Sequence, residues 1–163
     1  MIKELMKKNI IIIFFYLLSS ISFSYGAASS GSGDPSLESY YDKGAALIKR
    51  AKKLEKKGKK ESANKRYKKA LKYLIKANKR KKNQPDTLNY LGFALRKLGN
   101  FEEAEKYYLL GLSIKPDHNG INEYLGELYL KTNRINLAKE RLDALKNCKC
   151  EEYDELKELI ENN

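Results

Sequence analysis

The chain has 163 residues, 42% apolar and 33% charged, so it carries enough apolar material for one compact domain and is not a disordered, charge-dominated chain. Lys and Arg number 33 against 21 Asp and Glu, a formal net charge of +12. With one histidine and two cysteines, a histidine- or cysteine-rich metal centre is excluded as a working reading.

Residues 1–28 are expected to be a secretory signal. Lys3, Lys7 and Lys8 make a positive start, the apolar run from Ile10 to Leu18 follows, and Gly26-Ala27-Ala28-Ser29 supplies small residues for cleavage. The run falls short of the roughly 20 apolar residues that a membrane span wants. An uncleaved N-terminal anchor is the alternative. No cysteine follows the run, so a lipoprotein modification of the bacterial kind has no acceptor there. This reading places the mature protein outside the cytoplasm, in a bacterial periplasm. Residues 29–36, SSGSGDPS, lack apolar periodicity and read as a flexible linker, expected to be disordered.

From Leu37 an apolar stripe at helical spacing runs through Tyr40, Gly44, Leu47, Ala51 and Leu54, until Lys57-Gly58 breaks it. A second stripe takes in Ala63, Tyr67, Ala70, Leu71 and Leu74, and the helix is predicted to continue to about Lys82. Beyond Ala77 nothing apolar remains to bury, so that end is expected to project or fray. From Pro85, Leu88, Leu91, Gly92 and Leu95 share one helical face. Leu98-Gly99-Asn100 stops that helix, because glycine accepts the left-handed conformation that ends helices. Glu102 and Glu103 suit the positive end of the next helix, whose stripe is Ala104, Tyr108, Gly111 and Leu112, and Pro116 closes it. A further unit starts at Asn119, with Leu125-Gly126, Tyr129, a turn at Asn133, then Ala138, Leu142 and Leu145. Last, Tyr153, Leu156, Leu159 and Ile160 stripe a short helix whose other face is acidic.

The residues Leu88, Leu91-Gly92, Leu95, Ala104, Tyr108, Gly111 and Pro116 together resemble the tetratricopeptide repeat, a 34-residue helix–turn–helix unit. Set on the same template from Gly44, Leu47, Ala51, Leu54, Gly58, Ala63, Tyr67 and Ala70 fall into place, but Arg50 replaces a leucine, no proline ends the unit, and it spans 41 residues. The third unit departs in having Asn122 where a large apolar residue is usual. The resemblance implies an all-α fold, an α-solenoid of about three helix-hairpin repeats with a C-terminal capping helix. Its parts are a divergent basic first repeat at 37–84, repeats at 85–118 and 119–150, and a cap at 151–163 that gives the stack a polar end.

The resemblance also implies protein binding. Stacked hairpins of this family form a concave groove, lined by the first helix of each repeat, that holds an extended peptide or a partner helix. On this template the groove-facing candidates are Lys52, Asn89, Phe93, Arg96, Glu123, Glu127 and Lys131. Some members bind a C-terminal carboxylate through Lys and Arg at positions 2 and 6 of a third repeat. Here those places hold Gly120 and Tyr124, so that mode is not expected.

Charge is unevenly spread. Residues 43–82 hold 19 Lys and Arg against Glu55 and Glu61, whereas residues 83–163 hold 11 against 15 Asp and Glu. A basic patch is expected at Lys79, Arg80, Lys81 and Lys82, and with it an alternative function: a charge-driven binder of anionic lipid or envelope polymer through the hairpin at 43–82. Lysine far outnumbers arginine there, which favours diffuse attraction over bidentate recognition, and a nucleic-acid partner is not expected.

No enzyme is expected, with no cofactor and no small-molecule substrate. No phosphate-cradling loop or nucleophile–base arrangement can be placed, and the lone His118 reads as a surface loop residue. Cys148 and Cys150 are candidates for a disulfide or a redox pair, since an exported chain favours oxidation. A Cys-x-Cys disulfide closes a small, strained ring, which would make it easy to reduce.

Overall fold

The computed structural model describes residues 35–163, which form seven helices: α1 (Pro35–Lys56), α2 (Lys60–Arg80), α3 (Pro85–Lys97), α4 (Phe101–Ile114), α5 (Asn119–Lys131), α6 (Ile135–Leu145) and α7 (Glu151–Glu161). The expected signal at 1–28 and most of the expected linker lie outside the described residues. The linker ends earlier than expected, because Pro35 and Ser36 already belong to α1; proline suits a helix start, where its missing N–H loses no bond.

Three antiparallel hairpins, α1–α2, α3–α4 and α5–α6, stack in chain order, and α7 closes the stack against α5 and α6. Each hairpin turns on one residue in the left-handed region: Gly58 (φ 72°), Gly99 (φ 86°) and Asn133 (φ 59°). In each, the next N–H donates back five residues, Lys59 to the Leu54 carbonyl, Asn100 to Leu95 and Arg134 to Tyr129, at 2.8–3.0 Å. Glycine, with no Cβ, adopts that region freely, and Asn tolerates it better than most residues, which is why the turns read clearly in the sequence.

The spacing of those turns explains the long first unit. Gly58 and Gly99 are 41 residues apart, Gly99 and Asn133 are 34 apart, and α2 has 21 residues where α4 has 14. The excess is two helical turns. These turns are not loose, because α1 is extended to match, with 22 residues where α3 has 13. Leu74 packs on Gly44, Tyr73 meets the Tyr40 ring at 6.3 Å, and Lys76 and Arg80 lie 5.5 and 5.3 Å from the Tyr40 centroid. The expectation of a projecting or fraying end is thereby corrected: the end of α2 packs on α1. The helix stops at Arg80, within two residues of the expected end near Lys82. Asn83 takes a left-handed conformation (φ 59°), and its N–H donates to Asn78 Oδ1 at 3.0 Å.

The core has two parts. Leu47, Ile48, Ala51, Ala63, Tyr67, Ala70, Leu74, Leu88, Leu91 and Phe93 pack among α1, α2 and α3. Tyr108, Leu112, Ile121, Leu125, Leu128, Tyr129 and Ala138 pack among α4, α5 and α6. Glycine sits where the approach is closest. A Cβ on Gly92 would lie 2.5 Å from the Tyr108 ring, and one on Gly126 would lie 2.6 Å from Leu156 of α7. The unusual Asn122 is fully buried and polar contacts satisfy it. Its Nδ2 donates to the carbonyls of Pro116 and His118 at 3.0 and 3.2 Å, and its Oδ1 accepts from Arg141 at 3.3 Å.

Candidate functional site

The first helices of the hairpins, α1, α3 and α5, present side chains to one face of the stack, and residues from all three meet there. Phe93 of α3 and Tyr124 of α5 stack with centroids 4.7 Å apart. Lys52 of α1 lies 5.5 and 5.7 Å from the two rings and donates to the Tyr124 hydroxyl at 3.4 Å. Arg96 lies 5.4 and 5.5 Å from the same rings and forks onto Glu127, Nη1 at 2.6 Å and Nη2 at 3.1 Å. Burial disfavours the charge on Arg96, yet the neighbouring Tyr108 and Glu127 hold its pKa above the ordinary value.

Beside this cluster, at the C-terminal ends of α1, α3, α5 and α7, a cleft of about 650 Å³ opens. Glu55, Arg96, Lys97, Glu127, Leu130 and Lys131 line it, with Leu159 and Asn163 of the chain end. Its walls are braced by ion pairs. Lys97 Nζ meets Glu55 at 2.8 Å, Glu55 also accepts from the Tyr67 hydroxyl at 3.0 Å, and the Arg96–Glu127 fork closes the other side. Lys131 is exposed at the rim, and Leu159 is 44% exposed, a large apolar side chain open to solvent.

The seven groove candidates separate. Arg96, Glu127 and Lys131 line the cleft, and Lys52 stays exposed over the aromatic pair. Asn89, Phe93 and Glu123 are buried instead of lining an open groove: Tyr124 stacks on Phe93, Glu123 faces Glu155 of α7, and Asn89 lies against Gly120 at the start of α5. Asn89 Oδ1 and Arg96 Nε, both buried, find no hydrogen-bond partner in the described chain. Glu123 turns to α7. Burial first, then a hydrogen bond with Glu155 and the charges of Glu127 and Glu155, raise its pKa to about 9, with Lys52 opposing. That shift favours the protonated form of Glu123 at neutral pH, which has a proton to donate toward Glu155. Burial likewise pushes the Tyr124 and Tyr108 hydroxyls above their ordinary range.

Sequence reasoning missed Tyr124, Glu55, Lys97 and Leu159. Tyr124 stood only as a failed clamp position; its aromatic character was the available signal. Lys79, Arg80, Lys81 and Lys82 of the expected basic patch are all exposed, and Arg80 also lies against the Tyr40 ring. Cys148 and Cys150 form a disulfide in the turn before α7, with Lys149 between them in a left-handed conformation (φ 51°). His118 is more than a loop residue, since it caps α5. Its Nδ1 accepts from the Ile121 N–H at 3.2 Å, and its Nε2 lies 3.0 Å from Asp86 at the start of α3. Among the described residues no group of three or more His, Cys, Asp or Glu is placed to hold a metal ion.

A stack of helix hairpins with small residues at the crossings and an open face along the first helices defines a helical-repeat solenoid. Residues 85–118 match the tetratricopeptide repeat family model, and the fold is a tetratricopeptide-repeat solenoid. Solved structures share the architecture. The type III secretion translocator chaperone SycD of Yersinia enterocolitica superposes with a TM-score of 0.53 at 16% identity, covering 74% of this chain and 83% of that one. The second TPR domain of human RPAP3, solved in complex with an HSP70 peptide, gives 0.52 at 15% identity, covering 76% and 99%. A tetratricopeptide repeat protein from Parabacteroides merdae gives 0.51 at 19% identity, covering 76% of this chain, which spans only 59% of that one. At these identities the likeness shows the fold alone. No curated protein matches the sequence.

Proposed function

We propose that this protein is an adaptor that holds a segment of another protein against the face formed by α1, α3 and α5. The carrying observation is the braced cleft at Arg96, Lys97, Glu127 and Lys131, which joins ion-paired walls to the half-buried Leu130 and the exposed Leu159. Its chemistry suits a short segment with an apolar side chain for the leucines and a carboxylate near Lys131. The RPAP3 domain, with its bound peptide, offers a precedent for the architecture in this role.

The adaptor is further proposed to work outside the cytoplasm, in a cell envelope. The order of Lys3, Lys7 and Lys8, an apolar run and Gly26-Ala27-Ala28 supports that, as does the Cys148–Cys150 disulfide. The expected mass of the native protein is that of a chain starting between Ala27 and Ser30; a full-length chain retained in the cytosol opposes export.

The groove is tested by placing a photo-crosslinking residue at Lys131, in the cleft, and in parallel at Lys115, outside it. The expected result is a discrete protein adduct from position 131 alone, persisting well above physiological salt because apolar contacts are not screened. The same adducts from both positions, or none from 131, overturn the reading.

A further inference from the structure

We propose that the outer face of α2 is a docking surface for an anionic membrane, separate from the cleft. The helix carries nine Lys and Arg against Glu61 alone. Its buried stripe is Ala63, Tyr67, Ala70, Leu74 and Ala77. At 3.6 residues per turn, Lys72 lies opposite the middle of that stripe, with Lys65, Lys68, Lys69 and Lys76 around it. These five lysines, with Tyr73, line a shallow recess of about 370 Å³. The face runs about 20 Å along the helix from Lys65 to Lys79.

Three features distinguish this face from an ordinary solvated one. Lys65 pairs with Glu61 at 2.8 Å, and among the described residues the other four face lysines have no carboxylate partner. Such a concentration of like charge is self-repelling, and a dense anionic surface offsets the repulsion. Ile75, 42% exposed, stands on the flank of the same face between Lys68, Lys72 and Lys79. An apolar side chain among lysines suits the boundary of headgroups and acyl chains, where a soluble polyanion has nothing to offer it. The face is rigid: α1 is extended along α2, and Lys76 and Arg80 lie against the Tyr40 ring on the side facing α1. The centre of the site is thus Lys72, not the four-residue run at the helix end. Docking through α2 leaves the cleft of α1, α3, α5 and α7 free.

The test uses the full chain and reads its preference for phosphatidylcholine vesicles containing phosphatidylglycerol over vesicles of phosphatidylcholine alone. Association through residues 1–18, which carry Lys3, Lys7 and Lys8 ahead of the apolar run, is common to all variants and cancels in their comparison. Two charge-matched variants are compared: Lys65, Lys68, Lys69, Lys72 and Lys76 all changed to Gln, and Lys106, Lys115, Lys139, Lys146 and Lys157 all changed to Gln. Thermal unfolding of each variant checks that it is folded. The expected result is a preference for anionic vesicles at low salt that fades as salt rises. The α2 variant loses at least about tenfold, the control variant much less, and Ile75→Asn a few-fold. Equal loss from the two lysine sets overturns the proposal, because net charge alone then decides. So does binding to a soluble polyanion such as heparin with no preference for anionic vesicles, or full vesicle binding by Ile75→Asn.

Discussion

Gly92 shows how one atom decides the packing of a hairpin. Replacing a helical glycine by alanine normally gains about 1 kcal/mol of helix propensity. Here the new Cβ would lie 2.5 Å from the ring of Tyr108, which is itself fully buried and has nowhere to retreat. The clash wins: Gly92→Ala is expected to lower the melting temperature, and Gly92→Leu to lower it further, overpacking typically costing about 1–3 kcal/mol. Lys79→Leu, on the exposed side of α2, serves as the near-neutral comparison. Unchanged melting for Gly92→Leu would mean that the register of the repeat is wrong.

Glu123 makes a second residue-scale prediction with a definite sign. Its folded pKa, about 9, lies above the ordinary value of 4.5. Between those values the folded chain holds a proton that the unfolded chain has lost. The contribution of Glu123 to stability is complete below about pH 4.5 and is lost as pH rises through 9. The charged groups around it are Glu127 on its own helix, Glu155 on α7 and Lys52 on α1. Glu123→Gln keeps a donor for Glu155 and removes the titration. Its gain in melting temperature over the parent is therefore expected to be small near pH 5 and to grow toward pH 9. A pH-independent difference would remove Glu123 from the account.

At the scale of elements, α7 packs on α5 and α6 and covers the last hairpin of the described stack. Leu156 is fully buried and presses on Gly126, while the outer side of the helix carries Glu151, Asp154 and Glu158 to solvent. Leu156→Ala is expected to cost about 2–5 kcal/mol, as truncation of a buried leucine does. It should also raise hydrogen exchange in α5 and α6 well above that in α1 and α2, because only the former lean on α7. A loss spread evenly over the chain would contradict that placement. The same elements mark what the sequence makes legible. The hairpins, their turns and the cap could be read because Leu91-Gly92, Ala104, Tyr108 and Gly99 sit at fixed short spacings, and local spacing is what a helix converts into a face. The contents of the groove could not. Lys52 meets Tyr124 across 72 residues and Arg96 meets Glu127 across 31, and no periodicity encodes such distances. The lengthening of α2 was legible, but not its packing on α1: the apolar stripe of α2 thins after Leu74, and only the facing Tyr40 and Gly44 show what holds its last turns.

For the whole molecule, the governing fact is that charge and core are distributed differently. The α1–α2 hairpin has a core comparable to the other two, yet residues 43–82 carry 19 cations against two carboxylates. The rest of the described stack is laced with opposite-charge pairs, including the two-pronged Arg96–Glu127 and Arg134–Glu105 contacts. Repulsion within the first hairpin acts over tens of ångströms at low ionic strength. It is cut to within about 10 Å at 0.1 M salt. Added salt should therefore stabilise the chain as a whole, the reverse of what a fold held by surface ion pairs would do. The gain should be concentrated in α1 and α2. The expected observation is a melting temperature that rises between about 0.01 and 0.2 M sodium chloride, with amide protection in α1 and α2 increasing more than in α3 to α6. The Lys65, Lys68, Lys69, Lys72 and Lys76 to Gln variant should melt higher than the parent at low salt and lose most of that advantage at high salt. If the parent instead melts lower as salt rises, ion pairs outweigh the lysine repulsion, and the first hairpin is not the strained end of the stack.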